Sequence, residues 1–504
     1  MFLWPQKSLF AALFLSFSII SSAEEMPNVL MIAVDDLRPM LGCYGDARAI
    51  TPNIDKLAES GMLFERAYCN YAKCGPSRAS LLSGIHPANV GINNHSDKAI
   101  KEFRERRPDA VALPEWFMQN GYESRSFGKI DHDGWADPEQ WSEPPFAGRE
   151  KEMLEIIDPD RPDGPSVIAE RLACPVMQSP DVEDNKLFGG RMTDEVVRLL
   201  SSRDEGTPFF YAVGFRRPHL PFVAPQKYYD LHQPDESWLC SNPEPPAGVP
   251  PLAWFNSDGY GGSAKNVGLT MPPKPNRSEA IAWNGYEMRS YLDVPYHGEI
   301  SKARQMELIH AYSACVTFVD AQIGRLLSVL EDKGLRENTI VMLWSDHGWH
   351  LGELSAWGKM TNYEVGTRVP FIVSAPGRNP GRTPSLAALL DVYPTLCDLA
   401  GLDKPAHLEG KSLAPIVEDP NASVQESILH EYIRYRGKFT GKAIRTDRFR
   451  FVQWRSKEDE LQFEELYDLE KDPLETNNLA KTSNEQAARL RALLEDSSSR
   501  TEED

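Results

Sequence analysis

The chain has 504 residues, of which 41% are hydrophobic and 25% are charged, and these proportions are those of an ordinary globular protein. Its length favours one large domain with an appendage, or more than one domain. The formal net charge of −20 argues against nucleic acid as a partner. It also means that an anionic substrate needs a locally basic or metal-bearing pocket.

The N-terminal segment has the pattern of a secretory signal peptide. Lys7 precedes an apolar run from Leu9 to Ile20, and small residues that end at Ala23 follow this run. The run is shorter than a membrane-spanning helix needs, and no cysteine follows it that would take a lipid. We therefore predict a signal peptide over residues 1–23 and an exported protein, periplasmic or secreted, without a membrane anchor.

The chain contains an odd number of cysteines. In an exported protein this means that at least one cysteine is unpaired or reactive, and the spacing does not choose among disulfide pairings for the others. The seven are Cys43, Cys69, Cys74, Cys174, Cys240, Cys315 and Cys397.

Five apolar segments predict buried parallel strands, because each has the length of a strand and lacks clean alternation, and most end in a polar group. In chain order they are NVLMIAVDD, YESRSFGKIDH, FFYAVGFRRPH, NTIVMLWSDHG and RVPFIVSAPG.

Helical patterns lie between these strands. TPNIDKLAES has Thr51 as its N-cap, and a second helix is predicted to open at Pro76 and to end at Gly84. A long amphipathic helix is predicted over roughly residues 301–333. Strands that alternate with helices indicate an α/β fold with a mostly parallel central sheet flanked by helices.

The chain divides into a main part and an appendage. We predict an α/β domain over residues 24–423, which includes a proline- and glycine-rich loop or lid at 235–280. Short strand patterns predict a small C-terminal antiparallel sheet over 424–483. The polar tail at 484–504 is predicted to be frayed.

Unusual side chains stand at the ends of the predicted strands, where ligands lie in α/β sheets. They are Asp35 and Asp36, Lys129 and His132, His219, and Asp346 and His347. Clustered carboxylates repel one another unless a cation lies among them. They suit a hard divalent metal, most naturally calcium, with magnesium or manganese as alternatives. For either acidic pair by itself, the alternative interpretation is a solvated loop.

The segment YAKCGPSRASLLSG places Cys74 at the mouth of a helix, with Arg78 one turn further on. Thiolate sulfur and carboxylate oxygen prefer different metal ions, so a thiol does not suit this site. Residues 74–78, CGPSR, resemble the C-x-P-S-R signature of the sulfatase family, whose cysteine is oxidised to formylglycine. The hydrated aldehyde would supply an oxygen ligand and a nucleophile.

The resemblance covers most of the chain and implies the sulfatase fold of the alkaline phosphatase superfamily. Within the family the chain is most similar to iduronate-2-sulfatase-like enzymes, especially in DDLRPMLGCYGD and RRPHLPF. Other matching segments, in family order, are TPNIDKLAESGMLF, GYESRSFGKIDH, SDHGWHLGE, VPFIVSAPGR and LYDLEKDPLETNNLA.

The resemblance also implies a role for each matching residue. The metal ligands would be Asp35, Asp36, Asp346, His347 and the formylglycine made from Cys74. Arg78 would bind the hydrated aldehyde, and Lys129 and Lys359 would hold the sulfate oxygens. His132 would serve the formylglycine hydroxyl, and His219 would lie on the leaving-group side.

The implied reaction is attack of one aldehyde-hydrate hydroxyl on sulfur, with His219 or Lys359 giving a proton to the departing alcohol. The implied substrate is a 2-O-sulfated uronic acid or another sulfated polysaccharide or oligosaccharide. A formylglycine-generating enzyme is the implied maturation partner. Trp349 and His350 are candidates for contact with the sugar, and the alternative for Trp349 is packing in the core.

Two other functions remain open at this point. A phosphate or phosphonate monoester hydrolase of the same superfamily would use the same anion cradle, because the two esters are nearly isosteric. A catalytically inactive glycan-binding protein would keep the pocket without turnover.

Overall fold

The computed structural model describes residues 26–92, 105–132, 138–147, 167–168, 171–172, 174–203, 206–257, 275–291, 293–295 and 297–503. The predicted signal peptide and residues 258–274 of the predicted lid lie outside these ranges.

The centre of the protein is an eight-stranded sheet. Its strands are β1 Asn28–Val34, β2 Met62–Tyr68, β3 Glu123–Gly128, β4 Phe209–Phe215, β5 Thr339–Ser345, β6 Arg368–Val369, β7 Phe371–Ser374 and β8 Gly381–Ala388. Their order across the sheet is β6-β2-β7-β5-β1-β4-β3, and β8 pairs in parallel with β2. Because β5, β1, β4 and β3 pair in parallel, the predicted α/β fold with a mostly parallel sheet is confirmed.

One predicted parallel segment, RVPFIVSAPG, is antiparallel instead. It forms β6 and β7, and β7 pairs antiparallel with both β2 and β5. A parallel neighbour needs a crossover to the opposite end of the sheet, usually through a helix. Here the chain stays at the carboxyl end of β5, where it forms the short antiparallel pair His350–Leu351 and Trp357–Gly358. It then re-enters the sheet from that same end, so β7 runs antiparallel to β5.

Helices cover both faces of the sheet. The helices of the described part of the chain, of which the last packs on the C-terminal sheet instead, are Pro52–Glu59, Cys74–Ser83, Pro87–Val90, Leu113–Gln119, Phe188–Ser201, Gln226–Tyr229, Pro251–Trp254, Arg277–Trp283, Tyr286–Arg289, Lys302–Asp332, Glu364–Thr367, Val392–Leu399, Ala414–Glu418 and Asn484–Glu503. On β1, Leu30 and Ile32 belong to the hydrophobic cluster of the long helix Lys302–Asp332. Met31 and Ala33 belong to the opposite cluster, which contains Leu81. This alternation shows that the central strand is buried on both faces.

The long helix Lys302–Asp332 is, among the described residues, the one helix long and apolar enough to cross a membrane by length and composition. However, 72% of its most apolar window is buried inside the protein, as in a core helix. Its bounds agree with the predicted range of 301–333.

The C-terminal part forms a second, four-stranded antiparallel sheet, as the sequence predicts. Its strands are β9 Ser427–Arg434, β10 Phe439–Thr446, β11 Phe449–Ser456 and β12 Leu461–Asp468. The boundaries predicted for the two parts, 24–423 and 424–483, stay predictions.

The prediction of a frayed tail was wrong. The helix Asn484–Glu503 occupies almost the whole segment, and its Leu490 and Leu494 pack with Phe451 and Leu466 of the C-terminal sheet. Leucines four residues apart lie on one helical face, so burial of this face stabilises the helix although its last residues are polar.

Leu490→Ala tests the docking of this helix. Removing a buried leucine side chain costs about 2–5 kcal/mol, so we expect a clear fall in the urea midpoint of unfolding. The control is Arg489→Ala, because Arg489 is exposed on the same helix and should leave the midpoint unchanged. Equal midpoints for the two variants would contradict the packing.

Candidate active site

Strand register brings the two acidic pairs together. Val34 at the end of β1 lies beside Ser345 at the end of β5, so the residues that follow, Asp35 and Asp346, leave the sheet side by side. The backbone turns at Asp36, which has a φ of +61°. The Asp36 N–H donates to Asp346 Oδ1 at 3.2 Å, which holds the two strand ends together.

The helix that carries the cysteine begins at Cys74, two residues before the predicted start. Pro76 therefore stands third in the helix, where its missing N–H costs nothing because first-turn N–H groups have no intrahelical partner. The Ser77 hydroxyl donates to the Asp346 carbonyl oxygen at 2.6 Å and ties this helix to the end of β5. The predicted stop is confirmed, since Gly84 caps the helix in the left-handed conformation.

The Cys74 side chain lies in the middle of the site and is only 1% exposed. Its Sγ is 3.2 Å from Lys359 Nζ and 3.2 Å from His347 Nε2. Burial raises the pKa of the Cys74 thiol to about 11, although Lys129 and Lys359 act in the opposite direction. Cys74 is not held in a disulfide.

Arg78 joins the helix to the strand ends. Its Nη2 donates to Asp35 Oδ1 at 3.0 Å, and its Nε donates to Asp346 Oδ2 at 2.9 Å. Its Nη1 donates to the carbonyl oxygens of Lys129 and Ile130 beyond β3. Burial alone would lower the pKa of Arg78, but the Asp346 and Asp35 carboxylates raise it, so the guanidinium is a permanent buried cation.

Two buried lysines complete the cationic side of the site. Lys129 pairs with Asp35, and Lys359 Nζ lies 2.9 Å from Asp36 Oδ1. Burial opposes ionisation of both carboxyl groups. Lys129 and Arg78 nevertheless hold the pKa of Asp35 well below its usual range, whereas burial dominates at Asp36 and raises its pKa.

The three predicted histidines lie in different surroundings. His347 Nε2 is 3.5 Å from Asp36 Oδ1, and His219 Nε2 is 3.9 Å from Asp36 Oδ2. Burial, followed by Lys359 and Lys129, lowers the pKa of His219. His132 is half-buried and lines a small cavity together with Arg78.

Trp349 and His350 both belong to the core. Each is fully buried, and the His350 Nε2 is 2.8 Å from the Thr361 hydroxyl. The Trp349 ring lies under the Lys359 ammonium, which is 5.3 Å from the ring centroid. Trp349 therefore contacts a site residue through its buried ring.

One site residue, Glu287, was missed at the sequence level. It belongs to the four-residue helix Tyr286–Arg289, and its Oε1 lies 3.3 Å from His219 Nε2. Its Oε2 lies 3.7 Å from Lys359 Nζ. No strand end or motif marks this position, which directly follows the proline- and glycine-rich region.

The donor atoms of the site suit a hard divalent cation. Two overlapping groups have ligand atoms within 4.8 Å of one another: Asp35, Cys74, Asp346 and His347, and Asp35, Asp36, Cys74 and His219. The buried Asp36 Oδ2 has no hydrogen-bond partner. An unpaired carboxylate oxygen among other carboxylates fits an ion such as calcium or magnesium, whereas the Cys74 sulfur does not. The cluster contains all five predicted ligand positions.

The sequence has clear relatives. The profile of the family described as Sulfatase matches residues 27–402. The chain belongs to the sulfatase family. It is therefore a hydrolase of sulfate esters. A second profile, for the C-terminal part of N-sulphoglucosamine sulphohydrolase, matches residues 352–502.

Individual relatives agree with this assignment. The chain is 31% identical to iduronate 2-sulfatase from Homo sapiens over 92% of each protein. It is 28% identical to a Δ4,5-hexuronate-2-O-sulfatase from Bacteroides thetaiotaomicron, over 96% of this chain and 91% of the relative. The phosphonate monoester hydrolase of Agrobacterium radiobacter shares the fold, with a TM-score of 0.68, 22% identity, and coverage of 94% of this chain and 96% of that one.

Metal binding can be read from thermal stability. A cation that binds only the folded protein stabilises it by about 2.7 kcal/mol at about 100 times its Kd, so Ca²⁺ should raise the Tm and EDTA should reverse the rise. Asp346→Asn should abolish this shift. Asp332→Asn, at an exposed residue at the end of the long helix, should retain it. A Tm insensitive to divalent cations in the unsubstituted protein would argue against a metal at this cluster.

Proposed function

We propose that this protein removes the sulfate group from a sulfated saccharide, with a 2-O-sulfated uronic acid as the preferred substrate, and that it uses a formylglycine made from Cys74 and one divalent ion, calcium. The observation that carries the proposal is the position of Cys74. It lies at the N-terminus of a ten-residue helix, in contact with Lys359, and one turn from an arginine that bridges two carboxylates.

The surroundings of Cys74 suit a sulfate monoester. The free N–H groups of the first helical turn and the helix dipole favour an anion. The buried ammonium groups of Lys129 and Lys359 add positive charge near the cysteine, and Lys359 Nζ contacts its sulfur. These groups are fixed before the substrate arrives, so they can stabilise the charge of the transition state without reorganisation.

Conversion of Cys74 to formylglycine would explain why a cysteine lies among the carboxylates of a predicted metal site. The aldehyde hydrate supplies an oxygen nucleophile and a route for releasing sulfate, and a divalent ion held by Asp35, Asp36, Asp346 and His347 supplies Lewis-acid charge. Arg78 keeps the two strand-end carboxylates in place through its two ion pairs.

Proton transfer is assigned to the remaining groups. His219 Nε2 and Lys359 Nζ are the side-chain nitrogens near Asp36 and Glu287, so we assign them to the oxygen of the departing alcohol. The His219 Nδ1 faces the Leu220 carbonyl oxygen at 2.8 Å, so Nε2 carries a proton to give in the imidazolium form. His132 follows the Ile130 carbonyl that binds Arg78 and is assigned to the proton of the hydrated aldehyde.

The choice of a 2-O-sulfated uronic acid rests on the relatives. Two of them are named for iduronate and for Δ4,5-hexuronate 2-O-sulfate, and both match more than nine-tenths of the chain. The second candidate, phosphate or phosphonate monoester hydrolysis, has a structural relative at 22% identity, which supports a shared fold only.

We also propose that residues 1–23 direct export to the periplasm or the medium. The basic residue, apolar run and small residues before Glu24 support this. The measurement is the N-terminal peptide of protein recovered outside the cytoplasm: it should begin at Glu24. An intact N-terminus on cytoplasmic protein would refute export.

The state of Cys74 is the first test of the mechanism. In protein produced with a formylglycine-generating enzyme, we expect the peptide containing residues 74–78 to have the mass of an aldehyde in place of the thiol. Cys74→Ser should remove multiple turnover, because an ordinary alcohol cannot re-form an aldehyde to expel sulfate. Cys69→Ser is the matched control, since Cys69 is an equally buried thiol. An unmodified Cys74 in fully active protein would refute this mechanism.

Matched esters separate the two candidate activities. We expect turnover of a 2-O-sulfated uronic acid disaccharide and of 4-nitrophenyl sulfate, with kcat/KM well above that for 4-nitrophenyl phosphate. A preference for the phosphate ester would favour the second candidate. Glycan binding without turnover of any ester, despite a converted Cys74, would favour an inactive glycan-binding protein.

A further inference from the structure

Glu287 occupies a distinctive place beside the leaving-group donors. His219 Nε2 lies between two carboxylates, 3.3 Å from Glu287 Oε1 and 3.9 Å from Asp36 Oδ2. Lys359 Nζ lies between the same two carboxylates, 2.9 Å from Asp36 Oδ1 and 3.7 Å from Glu287 Oε2. Both nitrogen atoms therefore lie close to a predicted metal ligand as well as to Glu287.

The backbone that carries Glu287 is fixed by buried groups. The Asn256 side chain donates to the Lys359 carbonyl oxygen at 3.0 Å and accepts from the Gly285 N–H at 2.8 Å. Asn256 thus connects the segment of Lys359 directly to the segment of Glu287. Gly285 has a φ of +82°, and a Cβ there would approach the Trp357 Cβ to 2.9 Å, so only glycine allows this close contact.

The other end of the short helix is equally constrained. Arg289 is buried and donates to the carbonyl oxygens of Asn284, Pro295 and Gly298, at 2.7, 2.9 and 2.8 Å. A guanidinium with three backbone partners ties these three backbone positions to the short helix. The Glu287 carboxylate, whose side chain is 15% exposed, is therefore presented to the site from a rigid support.

We propose that Glu287 is a positioning residue for the leaving-group side: its contact with His219 Nε2 and its attraction for Lys359 Nζ orient both groups toward the oxygen that departs with the sugar. This role rests on the proposed sulfatase function. It goes beyond that function because Glu287 belongs to neither the metal cluster nor the anion cradle.

The physical reason is the balance between the two carboxylates. Without Glu287, the contacts of Lys359 Nζ that remain, those with Asp36 Oδ1 and Cys74 Sγ, both belong to the predicted metal site, so the leaving-group side loses its carboxylate anchor. Misplacing a proton donor slows the step that needs it, while substrate binding changes little. The loss should be greatest for a poor leaving group, since a stable leaving anion needs little protonation.

The test compares Glu287→Ala and Glu287→Gln on two esters. For Glu287→Ala on the 2-O-sulfated uronic acid disaccharide, we expect kcat to fall about 10- to 100-fold with KM within about threefold. On 4-nitrophenyl sulfate, whose phenolate leaves easily, kcat should fall no more than about threefold. Glu287→Gln keeps an acceptor oxygen and should lie between Glu287→Ala and the unsubstituted enzyme.

The control is Glu299→Gln, which removes a negative charge from an exposed position near the same loop and should leave both esters unaffected. The Tm and its rise with Ca²⁺ should be retained in every variant, which separates positioning from folding. Equal losses on the two esters, a raised KM with unchanged kcat, or full activity in Glu287→Ala would each overturn the role of Glu287 alone. An unsubstituted enzyme with converted Cys74 that hydrolyses neither sulfate ester would overturn the proposed function and this role together.

Discussion

The ion pairs of Arg78 are the interaction on which the site depends. One guanidinium contacts the carboxylates that follow β1 and β5 and the backbone that follows β3, while its own backbone belongs to the cysteine helix. Three strand ends and a helix are thereby fixed relative to one another at a point that solvent does not reach. A lysine would not reproduce this, because it lacks the planar fork that reaches several acceptors at once.

Burial of so many charged groups requires that each sign be matched locally. Arg78 and Lys129 compensate Asp35, and Lys359 lies between Asp36 and Glu287. The cations thus pair directly with the carboxylates of the predicted metal site, and Lys359 also contacts Cys74. In a protein with a net charge of −20, an anionic ester therefore needs the three buried cations together with the proposed divalent ion to offset these carboxylates.

The sequence predicted the positions of site residues best where the strand topology determines them. Asp35 and Asp346 follow apolar strands, and parallel strands bring their carboxyl ends to one edge, so their proximity was predictable. The position of Glu287 was not predictable, because it depends on two hydrogen bonds of the Asn256 side chain, which place the segment of Glu287 beside Lys359. The C-terminal helix was not predicted either. Burial of its leucine face stabilises it, but the polar residues at its end led to the prediction of a frayed tail. The antiparallel direction of β7 depends on the end from which the chain re-enters the sheet. The hydrophobic pattern of a strand does not show this.

The burial of Cys74 has a consequence for the order of events during biosynthesis. The helix that carries it is closed off by contacts with Asp346, and the Arg78–Asp346 pair spans 268 positions of the chain. A nascent chain emerges from its N-terminus, so residues 74–78 are synthesised well before β5 can join the sheet. Until then they remain accessible, and afterwards the side chain is 1% exposed. On the proposal that Cys74 is converted to formylglycine, the modifying enzyme would therefore have to act before the centre of the sheet assembles.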